Sequence, residues 1–234
     1  MIWFVLRAVL VDVGGTLWPD VWPEGSDDDF ERVARLRHAV PSMADSDALA
    51  LVRALAMPHP VTERQETASM IATALRGLNL RTDVPVSVVA AAMCLPARGR
   101  VALFPGAQDL VRGLAQRDLR VVIVSNVVWR DAASQRRDFE ELGLSEYVSA
   151  YVTSLDVGWR KPHDAFFDAA LAASGVPAEQ CAMVGDHEAN DIVPAHARGM
   201  FTLRVAIEQP PPEVSVADHV CESLAEVTRL LGAS

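Results

Sequence analysis

The sequence predicts an α/β protein: a parallel β-sheet covered by helices on both faces, interrupted near its start by an all-helical insert. Three observations carry this. The apolar runs at 2–11, 121–124 and 181–184 show no alternation of polar and apolar residues, the pattern of strands buried on both faces. From Val101 onward such runs alternate with helical stripes, which implies right-handed crossovers and a parallel sheet. Between Asp27 and about Ala97 only helical spacing is found.

Taken in order, residues 2–11 read as a buried strand that stops at Asp12 and turns on Gly14 and Gly15. Residues 14–25 are rich in Gly, Pro and Trp and cannot form a regular helix. Asp27, Asp28 and Asp29 suit a helix N-terminus, where carboxylates meet the positive end of the dipole. Phe30, Val33, Leu36 and Val40 follow at helical spacing, and Pro41 ends the run. Leu49, Val52 and Leu55 mark a second helix before Pro58 and Pro60. Ile71, Ala74, Leu75 and Leu78 mark a third, and Val86, Val89 and Met93 a fourth behind Pro85. Phe104-Pro105-Gly106 is a turn, and Leu110 to Leu119 a helix. Val121–Val124 is a strand stopping at Ser125-Asn126, and a charged helix runs to Leu142 and Gly143. Tyr147–Ser154 reads as a strand and Ala165–Ala173 as a helix. Cys181–Val184 is a strand stopping at Gly185-Asp186. Asn190–Arg198 is a helix with Gly199 at its C-cap. Phe201–Ala206 is a further strand, Pro210 to Pro212 a stiff loop, and Leu224–Leu231 a terminal helix.

With 234 residues, half of them hydrophobic, the chain can bury one large core and a smaller insert. Its net charge of −10 argues against a general nucleic-acid binder, though a local cation can still hold a small anion in a cleft. No run approaches the length of a membrane span, and the N-terminal apolar run lacks a basic leader. Three widely spaced cysteines form no disulfide framework, so a reducing, cytoplasmic setting is expected. Lys161 is the only lysine, so any chemistry that needs one has a single candidate.

Asp12, Ser125-Asn126 and Gly185-Asp186 each follow an apolar strand. In an open parallel sheet all strand C-termini lie on one edge, where ligands bind. Each residue taken alone has a plainer reading: Asp12 or Ser125 as a helix cap, Lys161 as a surface lysine, Asp186 and Asp191 as a turn and a helix start. Their joint order and spacing point to one site.

These stretches resemble the motifs of the haloacid dehalogenase-like (HAD) hydrolase superfamily. They are Asp12-Val13-Gly14-Gly15-Thr16-Leu17, Val124-Ser125-Asn126, Arg160-Lys161-Pro162 and Gly185-Asp186-His187-Glu188-Ala189-Asn190-Asp191. The resemblance implies a Rossmann-like core of residues 1–17 and 101–234, with residues 18–100 as an α-helical cap that opens on a flap loop. It implies a phosphatase acting on a small phosphorylated metabolite, with Asp12 as the nucleophile that takes up the phosphoryl group. Mg²⁺ falls to the Asp12 carboxylate, the Gly14 backbone carbonyl and Asp186. Asp191 completes the metal set by holding its waters or Lys161. Lys161, Ser125, Asn126 and the amide of Gly15 are the expected phosphate clamp.

The chain departs from the family's phosphatases at Gly14, where they carry a second Asp that protonates the leaving group. Loss of such a group costs about 10²–10⁴ in rate, or roughly 3–5 kcal/mol of barrier. The proton then comes from water, the substrate, Asp20, His187 or His163, or the leaving group needs little protonation. A dehalogenase also lacks this Asp but uses no Mg²⁺. A phosphonate-cleaving relative needs a cap lysine, which residues 18–100 do not contain, and a phosphomutase needs the missing acid. A degenerate binding domain is at odds with the retained Asp12, Lys161, Asp186 and Asp191.

Overall fold

The computed structural model describes residues 6–20, 26–56, 64, 66–97, 99, 101–208 and 213–232. The apolar run at the start of the chain forms β1, Ala8–Val11, every residue of which is buried. A strand with apolar side chains on both faces needs cover on both, and β1 takes the middle of the sheet. The other strands are β2 (Arg120–Ser125), β3 (Ala150–Thr153), β4 (Cys181–Gly185), β5 (Phe201–Val205) and β6 (His219–Cys221). All six are parallel, in the order β3-β2-β1-β4-β5-β6. Val11 pairs with Ile123 and with Val184, so the three central strands end nearly level. That register brings Asp12, Ser125 and Asp186 to one edge.

In chain order the helices are α1 (Ser26–Ala39), α2 (Asp45–Ala56), α3 (Thr67–Gly77), α4 (Val86–Met93), α5 (Ala107–Ala115), α6 (Ala132–Glu141), α7 (Ser154–Val157), α8 (Asp164–Ser174), α9 (Val193–Ala197) and α10 (Leu224–Gly232). The pleat sorts β1 between two cores. Val9 and Val11 face Leu110, Leu114, Phe139 and Leu224, while Ala8 and Leu10 face Phe166, Phe167 and Ala195. Helices α1 to α4 gather a third apolar cluster of their own around Leu36, Leu51, Ile71 and Met93. Polar ties join this cluster to the sheet layer. The Ala97 amide donates to Asp138 Oδ1 at 2.8 Å, and within the sheet layer the Phe104 amide donates to the Leu17 carbonyl at 2.9 Å, drawing together the chain on either side of the helical insert. Arg130 pairs with Asp138 and also donates to the Leu95 carbonyl.

Several elements differ from the sequence reading. The first strand is regular only from Ala8, although Arg7 still bonds Gln180 and Arg120 through its backbone; residues 2–5 lie outside the described ones, as do Pro210 to Pro212 and the loop 21–25. The stretch Tyr147–Ser154 contains only the short β3, because a 3₁₀ turn at Ser145–Tyr147 precedes it and α7 begins at Ser154. The helix expected over Asn190–Arg198 opens as a π turn, Glu188–Ile192. Pro194 has no N–H to donate back, and the backbone widens ahead of α9. Leu119 lies past the end of α5, beyond Asp118 at φ +58°. Phe30, expected in an apolar stripe, is 67% exposed. β6 was not foreseen, since three residues headed by a histidine carry no strand pattern. Among the described residues no helix is long and apolar enough to cross a membrane.

Candidate active site

Asp12 follows β1 and is buried, its amide donating to the Val184 carbonyl at 2.9 Å. Its two carboxylate oxygens have different partners: Lys161 Nζ lies 2.5 Å from Oδ1, and Thr16 Oγ1 donates to Oδ2 at 3.1 Å. Lys161 Nζ also reaches Asp191 Oδ1 at 2.6 Å, so one buried ammonium bridges two buried carboxylates. Asn126 at the end of β2 fixes the backbone of Lys161 from both sides. Its Nδ2 donates to the Lys161 carbonyl at 3.0 Å, and its Oδ1 accepts from the Lys161 amide at 2.8 Å. Asn126 thus holds the lysine loop. Ser125 lines the same cavity and is buried.

Two glycines let the acids come together. Gly15 has φ +72°, and a Cβ there would lie 2.4 Å from Asp186 Oδ2. A Cβ on Gly185 would lie 2.7 Å from the Asp191 side chain. Side-chain oxygens of Asp12, Asp186 and Asp191 accordingly fall within 4.8 Å of one another. Asp191 spends its oxygens on protein donors, Oδ1 on Lys161 and Oδ2 on the His187 amide at 3.2 Å. Among the described residues Asp186 has no comparable cation partner. Burial, with Asp12 and then Asp191 adding like charge, pushes its carboxyl up to about 7. Burial also raises Asp191 against the pull of Lys161. For Lys161, burial disfavours the charge, but Asp12 and Asp191 outweigh it and hold the ammonium above its ordinary value.

The cavity over these residues measures about 380 Å³. Trp18, Asp20, Arg32, Arg130 and Arg160 line it together with the carboxylates. Arg32 comes from α1, where its Nε donates to the Met93 carbonyl at 3.3 Å, so the helical layer contributes a cation to the wall. Of the three side chains considered as proton donors, Asp20 and His187 line the cavity and His163 does not. His163 caps α8, its Nδ1 accepting from the Ala165 amide, and stacks on Trp159 with ring centroids 3.8 Å apart. His187 caps the π turn, its Nδ1 accepting from the Asn190 amide at 3.2 Å. Asp20 is exposed overall, but partial desolvation raises its carboxyl, as do the Asp12 and Glu208 carboxylates, with His187 and Lys161 opposing.

Gly14 has no left-handed backbone, so the turn itself admits a side chain. What fills the space is Asp20, whose Oδ1 lies 2.5 Å from where a Gly14 Cβ would stand. This contact was not visible in the sequence, because no periodicity reports a loop folding back across six residues. Glu188 was also missed. Its carboxylate accepts from Arg204 Nη1 at 2.7 Å, Ser215 Oγ at 2.7 Å and the Val216 amide at 2.9 Å, which ties the acidic loop to β5. Partial burial works against that charge, but the Val216, Ser215 and Arg204 bonds hold the carboxyl below its ordinary value.

A carboxylate at the end of the first strand, met by a buried lysine and two further acids at the same sheet edge, defines a class of α/β proteins built around a strand-end aspartate. The sequence matches the profile of the haloacid dehalogenase-like hydrolases over residues 6–199, and the chain belongs to that family. The ribulose-1,5-bisphosphate 5-phosphatase of Halopiger xanaduensis is 29% identical over 146 residues, 56% of this chain and 57% of that protein. The phosphoserine phosphatase of Thermus thermophilus is 32% identical over 120 residues, 50% of this chain and 47% of that protein. The chain thus spans about half the length of the curated relatives it matches. The crystal structure of a 2-haloacid dehalogenase from Pseudomonas syringae pv. Tomato superposes with a TM-score of 0.63 at 21% identity, covering 97% of this chain and 99% of that one. At that identity the likeness is one of fold and leaves the chemistry open.

Proposed function

We propose that the chain is a Mg²⁺-dependent phosphatase of small phosphorylated metabolites, with Asp12 as the nucleophile. The observation that carries this reading is the buried Asp12–Lys161–Asp191 bridge beside Asp186 in the cavity lining. An attack by a carboxylate on a phosphate brings two anions together and needs cations at the meeting point. Lys161 supplies one of them. Two carboxylates share that single ammonium and Asp186 lies beside them, and the surplus negative charge with its hard oxygen donors fits a divalent cation. Asp12, Asp186 and the Gly14 carbonyl are the proposed ligands, with Asp191 holding Lys161 and the metal's waters. Mg²⁺ bound there supplies further positive charge against the phosphoryl oxygens.

The chain's own residues perform the remaining work. Thr16 and Lys161 hold the Asp12 carboxylate in place, one on each oxygen. Ser125 and the Gly14 amide contact the transferring oxygens, with Asn126 placing Lys161 among them; the Gly15 amide, expected in that clamp, is instead bonded to the Trp18 carbonyl at 2.8 Å. Residues 18–100 act as a cap that excludes water from the leaving-group side, and Arg32 and Trp18 contribute to the choice of substrate. The curated relatives named as phosphatases support the substrate class. The three cysteines are unpaired, which supports a reducing, cytoplasmic setting.

The test is a panel of phosphate esters assayed for phosphate release with and without Mg²⁺, with Asp12→Asn as control. Mg²⁺-dependent release that vanishes in the variant is the expected result. Metal-independent halide release from haloacids would replace this reading with a dehalogenase. No turnover of any ester would leave a binding domain.

A further inference from the structure

We propose that Asp20 is the general acid and base of this site, its carboxyl reaching from the loop after the first motif into the space left by Gly14. The inference rests on the phosphatase reading. Expelling an alkoxide from phosphorus needs a proton at the departing oxygen, and the return attack by water needs a group that takes one. Among the described residues lining the cavity, the candidates reduce quickly. Asp12 is the nucleophile, and Lys161 and Asp191 are bound to each other. Asp186 lies against Gly15, on the metal side. The arginines stay charged and cannot exchange protons. The Nδ1 of His187 is engaged in capping the π turn. Asp20 remains.

Its position fits the task. The carboxylate Oδ1 stands 2.5 Å from the virtual Cβ of Gly14, two residues after the nucleophile. The Asp20 amide is tied to Glu208 Oε2 at 3.4 Å, which anchors the backbone and leaves the side chain turned to the cavity. A side chain at position 14 would displace the Asp20 carboxyl from where it stands, and the glycine leaves that space to an acid delivered from six residues further on.

The steps balance as follows. An Asp12 oxygen bonds to phosphorus as the ester P–O bond breaks. The electron pair of that bond goes to the ester oxygen, which takes the Asp20 proton and leaves as the alcohol. Water then attacks phosphorus and gives its proton to the Asp20 carboxylate. The P–O bond to Asp12 breaks, its electron pair restores the Asp12 carboxylate, and inorganic phosphate departs.

The experiment compares 4-nitrophenyl phosphate with simple alkyl phosphates in wild-type protein, Asp20→Asn and the double variant Gly14→Asp/Asp20→Gly, all with Mg²⁺. Nitrophenolate leaves without a proton and an alkoxide does not. Asp20→Asn is expected to give a stoichiometric burst of nitrophenolate followed by slow turnover, because only the water step lacks its base. The same variant is expected to lose about 10²–10⁴-fold on alkyl phosphates, with no burst. The double variant places a carboxyl in the same space from the other side and is expected to recover alkyl turnover. Equal small losses on both ester types would overturn the assignment, as would a burstless loss on both or a leaving-group split carried by His187→Gln instead. If wild-type protein hydrolyses neither ester, the phosphatase reading falls and this inference with it. If wild type is active and Asp20→Asn is unaltered, only the inference falls.

Discussion

Lys161 is buried between Asp12 and Asp191, and removing it leaves two carboxylates without their cation. Lys161→Met is therefore expected to abolish turnover and to lower stability by about 3–5 kcal/mol, read by urea denaturation. Adding Asp191→Asn to that variant should return part of the stability and none of the activity. Asp186 poses the opposite case, a carboxylate crowded by like charge. Its carboxyl is raised from 3.8 to about 7, so between those values the folded chain holds a proton that the unfolded chain releases. The destabilisation is present above about pH 7 and fades as pH falls. Chelator-treated protein is expected to gain thermal stability between about pH 8 and about pH 6, and Asp186→Asn to flatten that gain. Mg²⁺ should raise the Tm of wild type and not of the variant. Asp12, Lys161, Asp186 and Asp191 were legible in the sequence through their joint order and the family motifs they resemble, since each alone has a plainer reading. The Gly14–Asp20 contact and the Asn126 hold on Lys161 were not, since both depend on how loops fold over the sheet edge.

At the scale of elements, β1, β2 and β4 were legible because a strand buried on both faces writes a continuous apolar run. Their level ends then follow from the parallel register. Elements with weaker patterns escaped: β6 and α7 are too short to show a period, and the π turn depends on what Pro194 cannot donate. The glycine turn after β1 is the element most sensitive to change. Gly15 combines a left-handed φ with the contact to Asp186, so Gly15→Ala is expected to lose more than the roughly 1–2 kcal/mol of the backbone effect alone. Circular dichroism melts check this. The Arg130–Asp138 pair ties the helical layer to α6 and receives the Ala97 amide. Asp138→Ala is expected to destabilise by about 3–5 kcal/mol and to change kcat and KM together, because the link joins the stretch after α4, in the proposed cap, to α6.

Across the whole molecule, the charge is −10 while the cavity wall carries Arg32, Arg130, Arg160 and Lys161. Asp12, Asp20, Asp186 and Asp191 line the same wall, so cations and carboxylates balance there; a small anion can reach the cations, while a polyanion would meet the net negative charge of the chain beyond the cavity. Both layers contribute to that wall, the sheet edge through the acids and Lys161, the helical layer through Arg32. The central claim is that Asp12 takes up the phosphoryl group. It is tested most directly by acid-quenching a reaction with 4-nitrophenyl phosphate and Mg²⁺ and mapping the peptides by mass spectrometry. The account expects the mass of one phosphoryl group on Asp12, absent from Asp12→Asn. Turnover without that adduct, or the adduct on another residue, would contradict it.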